Sequence, residues 1–324
     1  MSTNNCFNRP RIGIVGTGKI IAESVAALRT TGWDIHSIWG RNNEKAAVLA
    51  ERLEIPDVSA SYDQLLASGV DFVYIGVANK AHYDYAAKAI EAGVNLLVEK
   101  PFCSTLQQAE SLAERARERG LYIFETISNL YLPSWAMVRE RLADIGNIKL
   151  FQADFSQFSS RYKDYLAGNI ATTFDPLYEG GALRDINIYN LHLAVSLFGS
   201  PDQVVARSTK GYNGVDTSGV VLLTYPSHLA VCTAAKDSGN PSRVVIQGEK
   251  GYIYIGGMPN LLPSVEICLH GKEPELHTPN RYDHRLCHQF EQFREIFLRK
   301  DFDAMSQALD HTLKVMRVLE MAER

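Results

Sequence analysis

Apolar and polar positions follow two rhythms along this chain. Near its start, short β-rich runs alternate with longer segments whose apolar residues recur at helical spacing. Arg11–Val15 reads as a buried strand, and Ile20, Ile21, Val25, Ala27 and Leu28 then mark one face of a helix over residues 19–31. The same signal predicts strands over residues 33–39, 72–77, 94–98 and 121–125, and helices over 44–53, 62–68, 81–92 and 106–119. Strands that alternate with helices imply right-handed crossovers and a parallel sheet covered on both faces. Beyond about residue 126 long strand candidates dominate, at 149–158, 203–212, 219–225, 229–235, 243–247, 252–255 and 264–269. Links such as Tyr225-Pro226-Ser227-His228 carry hairpin chemistry. An antiparallel sheet is expected there, flanked by helices over 181–198, 283–298 and 305–322. The chain therefore reads as α/β: a doubly wound parallel sheet over residues 1–126, then an α+β domain with a large, mainly antiparallel open sheet over 127–324.

Composition narrows the class without pointing to chemistry. The 324 residues suit two domains. With 33 basic and 37 acidic residues, the formal net charge is −4. So even a balance gives no concentrated basic surface for a nucleic acid. No apolar run reaches the roughly 18 residues of a membrane span, and the opening segment MSTNNCFNRP lacks the apolar core of a secretory signal. Five cysteines (Cys6, Cys103, Cys232, Cys268 and Cys287) are scattered without a CxxC pair, which suits reduced thiols better than disulfides or a zinc site. His284 and His288 are spaced i, i+4 but lack the glutamate of HExxH, so no metal is expected. The expectation is a cytoplasmic protein with no nucleic-acid or membrane partner.

Candidate chemistry begins where the first strand meets the first helix, at Gly16-Thr17-Gly18. A helix N-terminus there offers free N–H groups and a positive dipole end to a pyrophosphate, and the glycines permit the turn and the close approach. This is the setting of a Rossmann dinucleotide site, with Lys19 and Ile20 entering the same loop. The carboxylate that binds a free ribose hydroxyl belongs about 20 residues further on, where this chain has Gly40-Arg41 instead. Gly40 leaves room and Arg41 suits a 2′-phosphate, so NADP is expected over NAD.

A second charged motif, Glu99-Lys100-Pro101, directly follows the strand over 94–98, at the sheet edge where open α/β folds bind ligands. Pro101 keeps Lys100 extended, aimed toward the crevice. Together with Gly16–Gly18, the segment Tyr74-Ile75-Gly76-Val77-Ala78-Asn79-Lys80-Ala81-His82 and the run Gly180-Gly181-Ala182-Leu183-Arg184-Asp185-Ile186-Asn187-Ile188-Tyr189, this motif resembles the Gfo/Idh/MocA family of nicotinamide-dependent oxidoreductases over essentially the whole chain. The resemblance implies that Lys100 contacts both substrate and nicotinamide ribose, that its bond to Pro101 is cis, and that Val77, Asn79, His82 and Glu99 face the cofactor. It also implies a small-molecule substrate and a homodimer or homotetramer built on the open sheet face. Two departures stand out. The family's Thr-Pro-Asn is Val77-Ala78-Asn79 here, and Asn187 replaces a glycine, where a side chain narrows the pocket or adds a hydrogen bond.

Asp185, Tyr189 and His192 are spaced i, i+4 and i+7, which at about 100° per residue places them on one helical face. A carboxylate, a phenol and an imidazole together suit a hydroxyl-to-carbonyl oxidation, in which a base takes a proton as hydride leaves. The resemblance makes Tyr189 the acid/base and Asp185 the substrate-orienting group, with Lys100 as the cation beside Tyr189. His192 is open as a substrate contact, a relay or a second base. Asn187 and Tyr162, with neighbouring Arg161, are further candidates at the substrate pocket. The leading expectation is an oxidoreductase of a sugar, polyol or related molecule. A nicotinamide-binding sensor and a redox-neutral glycosidase or epimerase remain as alternatives.

Overall fold

The computed structural model describes residues 9–324, so Cys6 and most of the opening segment lie outside the described residues. Six strands, β1 (Arg11–Val15), β2 (Asp34–Trp39), β3 (Asp57–Val58), β4 (Phe72–Ile75), β5 (Asn95–Glu99) and β6 (Ile123–Thr126), form one sheet in the order β3-β2-β1-β4-β5-β6. Every pair is parallel. All four residues of β4 are buried, as expected of a strand covered on both faces. The strand order reverses between β1 and β4, so a crevice opens beyond their carboxyl ends. The two-residue β3 is absent from the sequence reading because so short an edge strand has no periodicity.

The second sheet has eight strands: β7 (Ile148–Ser156), β8 (Gln203–Lys210), β9 (Asp216–Thr224), β10 (Leu229–Ala235), β11 (Arg243–Gly248), β12 (Gly251–Gly256), β13 (Val265–Leu269) and β14 (Glu275–His277). Their order is β14-β13-β12-β11-β7-β10-β9-β8. The pairs are antiparallel except β7 with β10, so the sheet is mainly antiparallel, as expected. A long excursion that includes the helix Ile188–Phe198 separates β7 from β10, and such a crossover, unlike a hairpin, returns the chain in the same direction. The hairpin over Tyr225–His228 forms as read, with the Tyr225 N–H donating to the His228 carbonyl at 3.0 Å.

Helix Ile188–Phe198 packs on one face of this sheet and is buried at every residue from Ile188 to Val195. The predicted helix over 181–198 is not uniform: residues Leu183–Asn187 form a π-helical turn before the regular helix begins. The last two helices, Leu286–Leu298 and Phe302–Glu323, return to the first sheet. Phe293 stacks on Phe124 with centroids 4.4 Å apart, Phe297 meets Phe72 edge-on at 4.9 Å, and the Trp33 indole N–H donates to the Phe290 carbonyl at 3.0 Å. Burying each such phenylalanine contributes about 1.5–3 kcal/mol. These contacts fix helix Leu286–Leu298 on the first sheet.

Candidate active site

A cavity of about 690 Å³ runs from the glycine turn, past the carboxyl ends of β1, β4 and β5, to the start of helix Ile188–Phe198. At its first end Gly16 has φ +122°, and a Cβ there would sit 2.5 Å from the Gly76 carbonyl oxygen, so the turn requires bare backbone. Helix Ile20–Thr30 starts beside it with no side-chain cap at Lys19, and of its first N–H groups that of Ile21 bonds the Gly18 carbonyl at 3.1 Å. Thr17, Gly18, Lys19 and Ile20 line the same wall. Beyond them stand Gly40, Arg41 and Lys45. A Cβ at Gly40 would meet Thr17 Cγ2 at 2.7 Å, so a side chain at that position would have to displace Thr17. A glycine cradle and a helix N-terminus with a basic far end together fit the phosphates of a dinucleotide.

Val77, Asn79 and Glu99 border the middle of the cavity. Glu99 Oε1 accepts from the Tyr74 hydroxyl at 2.6 Å and the Thr126 hydroxyl at 2.7 Å, and Ser24 Oγ donates to Tyr74 at 2.8 Å. This buried chain fixes the carboxylate. Burial and the adjacent Glu99 push the Tyr74 phenol well above its ordinary range. His82 does not reach the cavity, which corrects the expectation of a cofactor contact. It is fully buried, with Nδ1 2.9 Å from the Pro101 carbonyl and Nε2 3.2 Å from that of Val77. Burial lowers its pKa, so the neutral ring donates to one of these carbonyls at a time and ties the two cavity loops together.

At the second end Lys100, whose bond to Pro101 is cis, donates to the Asp185 carbonyl at 2.6 Å and to its Oδ1 at 3.0 Å. Asp185 Oδ2 accepts from a second ammonium, Lys236, at 2.8 Å. Burial opposes ionisation of Asp185, but the two lysines outweigh it and hold the carboxyl well below the usual range. Burial likewise opposes the charge of Lys100, yet Asp185 and the nearby Tyr189 and Glu99 raise its pKa above the lysine norm. Lys236 goes the other way: burial dominates and its pKa falls. The Lys100 ammonium lies 5.3 Å from the Tyr189 ring centroid, and Tyr189 is packed on Phe155 at 5.8 Å while lining the cavity.

The entry to this helix explains its glycines. A Cβ on Gly181 would collide with Asp216, whose Oδ2 accepts from the Leu183 N–H at 2.7 Å and so anchors the π-helical turn. That turn presents Asp185 to both lysines. It is a frequent device at functional positions.

Three candidates sit elsewhere than expected. His192 is fully buried, with Nδ1 3.0 Å from His311 Nε2 and Nε2 3.4 Å from Glu125 Oε2, and it does not line the cavity. Because the helix is buried all round, a shared face does not separate cavity from core. Asn187 donates to the Cys232 carbonyl at 3.1 Å and accepts from Asn190 at 2.8 Å, pinning the helix to β10 rather than narrowing the pocket. Tyr162 packs among Phe158, Tyr165 and Phe174, whereas its neighbour Arg161 lines the cavity. Sequence reasoning passed over Lys236, Arg285, Thr173 and Lys45. The signal for Lys236 was available: it is a lysine directly after the apolar strand β10, as Lys100 is after β5.

Residues 10–126 match a family described as an oxidoreductase family with an NAD-binding Rossmann fold, GFO_IDH_MocA, and residues 135–254 match the GFO/IDH/MocA C-terminal domain. The chain is 31% identical over 249 residues to the scyllo-inositol 2-dehydrogenase (NADP(+)) IolU of Bacillus subtilis, spanning 76% of this chain and 75% of that protein. It is 28% identical to the trans-1,2-dihydrobenzene-1,2-diol dehydrogenase of Xenopus tropicalis, over 83% of this chain and 81% of the relative. In fold it resembles KijD10, a 3-ketoreductase from Actinomadura kijaniata solved with NADP and TDP-benzene, with a TM-score of 0.84, 23% identity, and 98% and 97% of the two chains covered.

Proposed function

The chain belongs to the Gfo/Idh/MocA family of oxidoreductases, and on that premise we propose that Lys100, Asp185 and Tyr189 carry the proton chemistry of an NADP-preferring reaction on a sugar or polyol. It is an NAD(P)-dependent oxidoreductase acting between hydroxyl and carbonyl groups of sugar- and polyol-like molecules. The observation that carries the reading is the Lys100–Asp185 pair beside Tyr189, in the same cavity as the glycine turn. Bound nicotinamide supplies the hydride acceptor or donor. In the carbonyl-reducing direction, Tyr189 gives its phenol proton to the substrate oxygen as hydride arrives, and Lys100 stabilises the negative charge that develops on that oxygen. Asp185 keeps Lys100 charged and directed. Phe155, which lines the cavity beside Tyr189, keeps water from that side. A screen of sugars, polyols and sugar acids with NADP, followed by nicotinamide absorbance, tests the reading. Stable cofactor binding with no net turnover on any of them counts against it.

The preference for NADP rests on Gly40, which carries no carboxylate, and on Arg41 and Lys45, which line the same cavity. Tighter binding of NADH than NADPH in a titration overturns it. The reading divides the chain into a cofactor domain over residues 1–126 and a substrate domain over 127–324. The face of the second sheet turned away from helix Ile188–Phe198 exposes Val220, Leu229, Tyr252 and Leu276. We take it as the surface joining a homodimer or homotetramer, which a mass measurement in solution checks. The free, buried thiols of Cys103, Cys232, Cys268 and Cys287 support a reducing, cytoplasmic setting. Among the described residues no helix is long and apolar enough to cross a membrane.

A further inference from the structure

A Lys100–Asp185 pair alone sums to zero charge. Lys236 changes that sum, and its surroundings show how. It follows β10, its residue is 3% exposed, and it does not line the cavity. Its ammonium donates to Asp185 Oδ2 at 2.8 Å and to the Thr173 carbonyl at 2.6 Å, and lies 4.4 Å from the Phe174 ring centroid. Each oxygen of Asp185 is thus taken by a different lysine, Oδ1 by Lys100 and Oδ2 by Lys236. A buried ammonium costs several kcal/mol of desolvation unless paired, and an uncharged side chain of the same length would pack against Phe174 without that cost.

The other charged groups around this cluster are few. Glu99 acts on Lys100, while Asp216 acts on Lys236 from β9. From the segment after β7, Arg161 borders the cavity and approaches the Thr173 hydroxyl at 3.4 Å. Lys236 therefore does two things that no group touching the cavity does. It fixes the second oxygen of Asp185 and the backbone of the cavity residue Thr173, and it prevents Asp185 from cancelling the charge of Lys100.

We propose that Lys236 is a positioning residue for the transfer site, holding Asp185 in place and leaving the Lys100–Asp185–Lys236 cluster with one net positive charge beside Tyr189. The inference rests on the functional reading above, and its test separates the two. The full-length protein, labelled with ¹³C at the aspartate carboxyl, is titrated as wild type, K236M and K236R, with the Asp185 signal assigned by its loss in D185N. Losing one of two opposing cations raises the Asp185 midpoint by about one pH unit or more in K236M, and K236R returns it toward wild type. With any sugar or polyol that the wild type turns over, K236M loses about tenfold or more in kcat with little change in KM, and K236R recovers part of the loss. An Asp185 midpoint unchanged in K236M, or K236R as impaired as K236M, overturns the proposal. If K236M does not fold, the midpoint and turnover of folded K236R against wild type decide it: retention supports a charge-based role, and loss of both refutes it. A wild type that turns over none of the substrates defeats the functional reading alone, because the titration still reports on Lys236.

Discussion

Two sides of one helix carry similar polar residues and put them to opposite uses. Toward the cavity, the turn before Ile188–Phe198 and its first residues place Asp185 and Tyr189 against Lys100 and Lys236. Toward the interior, Asn187, Asn190 and His192 meet the backbone of β10, the buried Glu125 and the half-buried His311. The first group faces a space that a ligand can enter, and its charges are held ionised by opposite charges. The second faces fixed carbonyls and a second imidazole, and burial keeps His311 well below the ordinary histidine range. A residue type does not announce which it is. What stands opposite does.

The contrast can be broken in order of expected effect. Lys100→Ala removes the cation proposed to stand at the reacting oxygen, and turnover is expected to fall by about a thousandfold with the melting temperature nearly unchanged; steady-state kinetics beside thermal unfolding check both. Tyr189→Phe is expected to lose roughly a hundredfold or more in kcat while NADPH binding is retained. The matching change on the interior side, His192→Phe, should leave Tyr189-dependent chemistry in place but destabilise the fold by about 1–3 kcal/mol through the stranded partners Glu125 and His311. If His192→Phe were instead to abolish turnover in a stable protein, the division between the two sides would be wrong.

Further from the chemistry, Arg41→Ala should weaken NADPH by about tenfold or more and leave NADH nearly unaffected, as paired titrations will show. Acid stability separates the two sides as well, and its sign follows from the imidazoles of His311 and His82. The pKa of His311 and that of His82 are both lowered in the folded state by burial. Below the unfolded value near 6.5 the unfolded chain binds the extra protons, so stability falls as pH drops from about 7 toward 5. Each such histidine contributes a slope of up to about 1.4 kcal/mol per pH unit. His311→Gln should flatten that dependence in denaturant melts. Asp185 does not contribute in this window, because its folded pKa is depressed and its share of stability is lost only through and below the ordinary carboxylate range.

Much of the fold was legible because its signals are local. Strand β10 was read to the residue, the doubly wound alternation was clear from Arg11 onward, and the glycine turn was placed by its neighbours. The motifs around Lys100 and Asp185 were legible too, since a charge directly after a buried parallel strand stands at the ligand-binding edge of the sheet. What escaped the sequence is nonlocal. Lys236 and Asp185 are 51 positions apart in the chain, and only the crossover that makes β7 and β10 parallel brings them together. Spacing puts His192 on one face with Tyr189, but a helix buried on every side has no solvent face by which spacing can tell cavity from core.

By itself, the sequence determined the class of fold, and it placed the glycine turn and Lys100 at the strand ends that border the cavity, because each depends on residues adjacent in the chain. Only the tertiary structure decided which polar side chains of the site helix reach the cavity, and that a second lysine stands behind Asp185. Burial and pairing are properties of what distant segments place opposite one another, and a linear pattern holds no record of that distance.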